Sequence, residues 1–153
     1  MIRKANINDP PAIMEIVNAH AGKGLMLPRA LNEIYENLRD FFLYEENARV
    51  LGCAALHVTW EGLGEIRSLA IVEEAQGHGI GRKLVETCLQ EARQLGMSRV
   101  FALTYAPEFF HKLGFCDYPK ENLPHKIWTD CLKCPKFPNC DEVALIIDLT
   151  QPP

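Results

Sequence analysis

Three glycines within five residues, Gly77, Gly79 and Gly81, separate an apolar stretch from an amphipathic one. This punctuation constrains the fold more than any other feature of the chain. Upstream, Glu65-Ile66-Arg67-Ser68-Leu69-Ala70-Ile71 reads as a strand. Downstream, Ile80, Leu84, Val85, Cys88, Leu89, Ala92 and Leu95 recur at helical spacing, with Arg82, Lys83, Glu86, Gln90, Glu91 and Arg93 on the other face. A strand, a glycine-rich turn and a helix start aim backbone N–H groups at one spot, as a phosphate site requires.

Around this unit the pattern gives alternating elements. Residues 2–6 read as a strand. Asn8-Asp9-Pro10 supplies a helix cap with proline in the first turn, and Ile13, Ile16 and Val17 give that helix its buried face. Gly22-Lys23-Gly24 ends it, and a second helix is expected from Ala30 with Leu31, Ile34 and Leu38. Phe41–Glu45 and Arg49–His57 read as a hairpin turning at Glu46-Asn47. Gly62-Leu63-Gly64 forms the next turn, and the central strand is expected from Glu65. Arg99–Thr104, a short helix over Pro107–Lys112, a strand after Gly114-Phe115 and a last strand, Val143–Leu149, complete the order. The crossover from the central strand to Arg99–Thr104 implies local parallel pairing, and the hairpins make the rest antiparallel. The expectation is an α+β fold, a mixed and mostly antiparallel sheet flanked by helices, in one domain over residues 1–153.

The composition excludes several classes. With 48% hydrophobic residues in 153, the chain can build a core and is not a disordered one. It contains no apolar run long enough to span a bilayer and no signal-peptide pattern at its start, so a cytoplasmic protein without a membrane partner is expected. A net charge of −4 argues against a nucleic-acid partner. Cys53 and Cys88 lie inside apolar patterns, as buried thiols do.

Among phosphate loops, a Walker loop would need Gly-Lys-Ser/Thr, and Gly81 is followed by Arg82 and Lys83. A Rossmann fingerprint begun at Gly77 would need glycine or alanine where Arg82 stands. Gln76, Gly79 and Gly81 fit a third pattern, Gln-x-x-Gly-x-Gly. Here the sequence resembles the GNAT superfamily of N-acetyltransferases, whose loop of this kind binds the diphosphate of acetyl-CoA. The resemblance extends to Leu69-Ala70-Ile71, matching the strand along the pantetheine arm, and to Phe109-Phe110-His111-Lys112-Leu113-Gly114-Phe115. It implies acetyl-CoA as cosubstrate, held by Leu69, Ala70, Ile71, Gln76, Gly77, His78, Gly79, Ile80, Gly81 and Arg82, with Leu69 donating to the oxyanion. Homodimers are common in this superfamily. The chain departs from it at Phe110, where many members place the tyrosine that protonates the leaving thiolate. Tyr105 is the nearest substitute, and a partly buried aromatic at a strand end is the competing reading.

Acyl transfer to an amine needs a base, and Glu65, just before the core of the central strand, is the candidate. The acceptor is suggested by a narrower likeness. Glu65-Ile66-Arg67-Ser68-Leu69-Ala70, Val100–Tyr105, Leu123–Trp128 and the Cys/Pro-rich block Asp130–Glu142 together resemble short bacterial N-acetylglutamate synthases of arginine biosynthesis. That likeness implies L-glutamate as substrate. Leu27, Arg29, Arg67 and Ser68 are the expected substrate contacts, since guanidinium groups match carboxylates in bidentate fashion. Lys126 and Lys136 are weaker candidates. Cys131, Cys134 and Cys140, with His125, are read as part of a proline-stiffened lid, with a zinc site as the competing reading; no metal is assigned. Competing functions are acetylation of another amino acid, a small amine or a protein N-terminus, and a non-catalytic acetyl-CoA sensor. A polyamine pocket would favour carboxylates over Arg29 and Arg67.

Overall fold

The computed structural model describes residues 1–24, 26, 28–124 and 142–150. A seven-stranded sheet runs in the order β1 (Ile2–Lys4), β2 (Phe41–Glu46), β3 (Arg49–Trp60), β4 (Leu63–Ile71), β5 (Arg99–Thr104), β7 (Val143–Asp148) and β6 (Cys116–Asp117). All neighbours pair antiparallel except β4 and β5, which are parallel. The mixed, mostly antiparallel sheet expected from the pattern is therefore present. Helices α1 (Pro10–Gly22) and α2 (Leu31–Glu36) cover one face; α3 (Ile80–Gln94) and α4 (Pro107–Lys112) pack on the other.

Strand alternation divides the core. Cys53 and Ala55 of β3 meet Ile13, Val17 and Ile34 on the α1–α2 side. Ala54 and Leu56 meet Leu84, Val85, Cys88 and Ala92 of α3 on the other. The helical stripe from Ile80 to Ala92 is buried as its spacing predicts, but Leu95 is exposed because α3 ends at Gln94 and the chain turns away. The thiols of Cys53 and Cys88 are buried, and burial pushes each up to about 12.

Several boundaries differ from the sequence reading for local reasons. The first strand stops at Lys4, and Leu38 lies in a 3-10 turn after α2. The turn before β4 lies at Glu61-Gly62, so Leu63 and Gly64 pair with Arg99 and Val100 inside the sheet. The β2–β3 hairpin turns at Asn47-Ala48, with φ of 52° and 61°. Both central residues of such a two-residue turn need positive φ, which alanine resists.

Asp9 precedes α1, but its carboxylate makes no cap. It binds Arg3 in bidentate fashion at 2.8 and 3.0 Å and accepts the Asn6 N–H at 2.6 Å. Arg3 also reaches Glu45 of β2 at 2.8 Å, tying the start of α1 to the sheet edge. The Arg3 hydrogen bond holds the Asp9 carboxyl below the usual range. Stability from this pair is present above the unfolded-state pKa of about 3.9 and disappears as pH falls through the lower folded value. Acid titration of unfolding free energy should show this loss, and Asp9→Asn should erase it. Ala48→Gly should raise stability by about 0.5–1 kcal/mol in denaturant unfolding, since glycine adopts the turn conformation without strain.

Candidate functional site

The glycine-rich turn has the form of an anion cradle. Gly77 and Gly79 hold φ of 82° and 79°, and a Cβ at either would meet nothing within 4 Å, so the turn is both left-handed and open. Gly79 caps α3, and the first intrahelical bond runs from the Lys83 N–H to its carbonyl at 3.1 Å. The N–H groups of Ile80, Gly81 and Arg82 thus belong to the helix turn that has no carbonyl to bond, and they face the positive end of the dipole. Gln76 Nε2 donates to the Ile71 carbonyl at 3.2 Å, and His78 Nδ1 lies 3.2 Å from the Ala75 carbonyl, bracing the turn against β4. Gly81 has a packing reason as well: the Phe109 ring lies 3.3 Å from where a Cβ would stand. Arg82 pairs with Glu86 at 2.8 Å on the exposed face, and Lys83 lies 5.9 Å from the centre of the Tyr44 ring. The donor set and open cradle fit a diphosphate.

β4 carries the rest. Its register against β3 shifts between Ala55↔Arg67 and Cys53↔Ala70, a bulge centred on Ser68 and Leu69. Ser68 takes φ of 54°, uncommon for a side chain and typical of bulges that re-aim the backbone. Its pairing with β5 ends at Ile66↔Ala102. From Arg67 onward the two parallel strands separate, and the bulge lies at the head of that gap, with Leu69 directly after it.

On the α1–α2 face, an open cleft lies beside the bulge. Arg29, Glu33, Asp40, His57, Arg67 and Ser68 supply its polar lining, over Ile34, Phe41 and Ala55. Its cations come with acids. Arg67 Nε donates to Glu65 Oε1 at 2.6 Å, His57 Nδ1 lies 2.7 Å from Asp40 Oδ2, and Arg29 Nη1 reaches Glu33 Oε2 at 3.4 Å. Asn18 fixes the Arg29 backbone by accepting its N–H at 3.0 Å and donating to its carbonyl at 3.3 Å.

Glu65 is 6% exposed and sits behind the cleft lining, bonded to Arg67 and opposite His57 in the β3–β4 register. Burial pushes its carboxyl above the usual range; the charge and hydrogen bond of Arg67 oppose this, as do Arg29 and His57 more weakly. A carboxylate raised in this way is a better proton acceptor than a free one.

The structure brings Arg29, Arg67 and Ser68 into one cleft next to Glu65, and Gln76 to Arg82 into one cradle. Tyr105 is not in the cleft; it follows β5, three residues past its last pair with β4, and is half-buried. Phe110 is buried in the α3-side core, edge-on to Phe109 and Phe115. Leu27, His125, Lys126, Cys131, Cys134, Lys136 and Cys140 lie outside the described residues. Sequence reasoning missed His57 and Asp40. Strand alternation with Cys53 and Ala55, and the hairpin count that sets it opposite Glu65, would have found His57. Asp40 reaches it only through tertiary folding.

Comparison with known proteins agrees with this geometry. The model of the acetyltransferase (GNAT) family matches residues 14–115. An uncharacterized N-acetyltransferase of Chlorobaculum tepidum is 42% identical over 145 residues, 95% of this chain and 94% of its own. The amino-acid acetyltransferase of Mycobacterium tuberculosis is 42% identical over 120 residues, 76% of this chain and 68% of its own. Among solved structures, N-acetylglutamate synthase from Neisseria gonorrhoeae, complexed with coenzyme A and N-acetyl-glutamate, superposes with a TM-score of 0.90 at 29% identity. That match covers 99% of this chain and 35% of the larger protein. No helix among the described residues is long and apolar enough to cross a membrane. The family match spans both the cleft's strands and the glycine-rich turn, and this chain belongs to the GNAT acetyltransferase family.

Proposed function

We propose that the protein is an acetyl-CoA-dependent amino-acid N-acetyltransferase that acetylates the α-amine of L-glutamate, the reaction that opens arginine biosynthesis. The observation that carries this reading is the placement of two guanidinium groups, Arg29 and Arg67, in one cleft around a buried carboxylate, Glu65. A substrate with two carboxylates and one ammonium group complements that set. The names of the Mycobacterium relative and the Neisseria neighbour support the same reading. Acetyl-CoA lies with its diphosphate in the turn from Gln76 to Arg82, on the N–H groups that follow Gln76, whose own N–H is bonded to the Glu73 carbonyl, and with its arm along Leu69–Ile71 in the gap between β4 and β5. It supplies the acetyl thioester.

The residues then divide the work. Arg29 and Arg67 hold the carboxylates and orient the amine. Ser68 lines the same wall. Glu65 takes a proton from the ammonium group through a water, since the carboxylate sits behind the lining. As the amine nitrogen bonds the acetyl carbon, the Leu69 N–H donates to the developing oxyanion. The C–S bond breaks as the tetrahedral intermediate loses its second N–H proton to water; Tyr105, beyond the gap, gives the thiolate its proton and regains one from water, so that one net proton, the one taken by Glu65, leaves with each turnover.

Release of free CoA from acetyl-CoA should be greatest with L-glutamate in a panel of amino acids, polyamines and N-terminal peptides. A different preferred amine would move the acceptor assignment, and no release with any amine would favour a sensor. Arg29→Met should raise KM for glutamate by about 10- to 100-fold, the loss of a charged hydrogen bond, and change KM for acetyl-CoA far less. Glu65→Gln should lower kcat by about 100-fold or more. In the unaltered protein, activity should rise with pH through a Glu65 pKa above the usual carboxylate value of about 4.3, and Glu65→Gln should remove that limb.

A further inference from the structure

Glu65 presents a difficulty that the chemistry does not resolve by itself. At 6% exposure, a base that has taken a proton does not face bulk solvent, yet it must be reset in every turnover. Directly across the β3–β4 ladder stands His57. Its side chain lines the cleft and is 29% exposed, and its Nδ1 lies 2.7 Å from Asp40 Oδ2, itself 25% exposed. With the Asp40 carboxylate accepting from Nδ1–H, the neutral ring carries its lone pair on Nε2. That nitrogen is the one able to exchange a proton inside the cleft.

We propose that His57, oriented by Asp40, is a positioning and relay residue that receives the proton from Glu65 and delivers it to solvent. This rests on the reading of Glu65 as the base of the acetyl transfer. The transfers balance without a co-reactant. The ammonium N–H bond breaks as a Glu65 O–H bond forms. That O–H breaks as an Nε2–H bond forms, directly or through one bridging water, and Asp40 balances the imidazolium charge. Nε2 then gives the proton to bulk water and the neutral ring returns. The charged and titratable groups that share the cleft with His57 are Asp40 from the turn before β2, Arg67 from β4, Arg29 from the loop before α2, and Glu33 from α2, with Glu65 opposite it in the ladder.

Two measurements test this. The first reads the His57 ring nitrogen resonances by NMR in the unaltered protein and in Asp40→Ala, and needs no turnover. The neutral ring should carry its proton on Nδ1, and Asp40→Ala should lose that preference. An Nε2–H ring in the unaltered protein would overturn the orientation that the relay needs. The second measures kcat and both KM values for His57→Ala and His57→Gln, with thermal melts as a folding control, using whichever amine the panel identifies. Both variants should lose about tenfold or more in kcat with KM little changed, and added imidazole should restore activity to His57→Ala. A rise in amino-acid KM alone, or no rescue by imidazole, would overturn the relay and make His57 a substrate contact. If glutamate is not acetylated, the substrate assignment fails while the ring tautomer and the imidazole rescue with the amine that is acetylated still decide the relay.

Discussion

The parallel ladder between β4 and β5 holds for four registered pairs and then stops. The bulge at Ser68, the cleft beside it and the glycine-rich turn all lie past that point. A continuous sheet would satisfy both strands and leave no slot between them. Because β5 continues with β7 as its other neighbour, it keeps one full set of partners while releasing β4. β4 in turn stays anchored to β3, which matches it on both sides of the bulge. The gap is therefore bounded by two strands that are each stabilised from outside, and it can remain open without unravelling the sheet.

The bulge settles which side chains share the cleft wall. Without the extra residue, strict alternation along β4 would put Arg67 and Leu69 on the same face. The shift at Ser68 instead leaves Glu65, Arg67 and Ser68 toward α1 and α2 and returns Leu69 to the α3 side. Burial of Glu65 would be costly alone, and Arg67 two residues on makes it tolerable through a hydrogen bond and a charge. The two effects leave the carboxylate raised but ionisable. Glu33, the more exposed partner at 47%, holds Arg29 only at 3.4 Å, so Arg29 can exchange that partner at small cost.

Much of this was legible in the chain. The stripe from Ile80 to Ala92, the glycine-rich turn and the alternation of β3 each follow from local periodicity, and local periodicity is what sequence carries. Cys53 and Cys88 were readable for the same reason. Three features were not. The Glu61-Gly62 turn was displaced because Leu63 and Gly64 have a strand partner distant in the sequence. Asp9 looked like a cap but found a stronger, charged partner in Arg3, which no local rule announces. Asp40 meets His57 only after α2 and β2 are placed against β3. Arg29 and Arg67 were identified by resemblance, and their meeting in one cleft depends on Asn18 holding the loop before α2.

The contact between Gly81 and the ring of Phe109 joins two regions that the chemistry treats separately. One is the first turn of α3, where phosphates would sit; the other is α4, which follows directly on the end of β5. A methyl group at position 81 would push these apart by tenths of an ångström. The glycine therefore acts as a length gauge. It sets the distance between the cradle and the mouth of the gap, and any long, thin molecule laid from one to the other is measured by it.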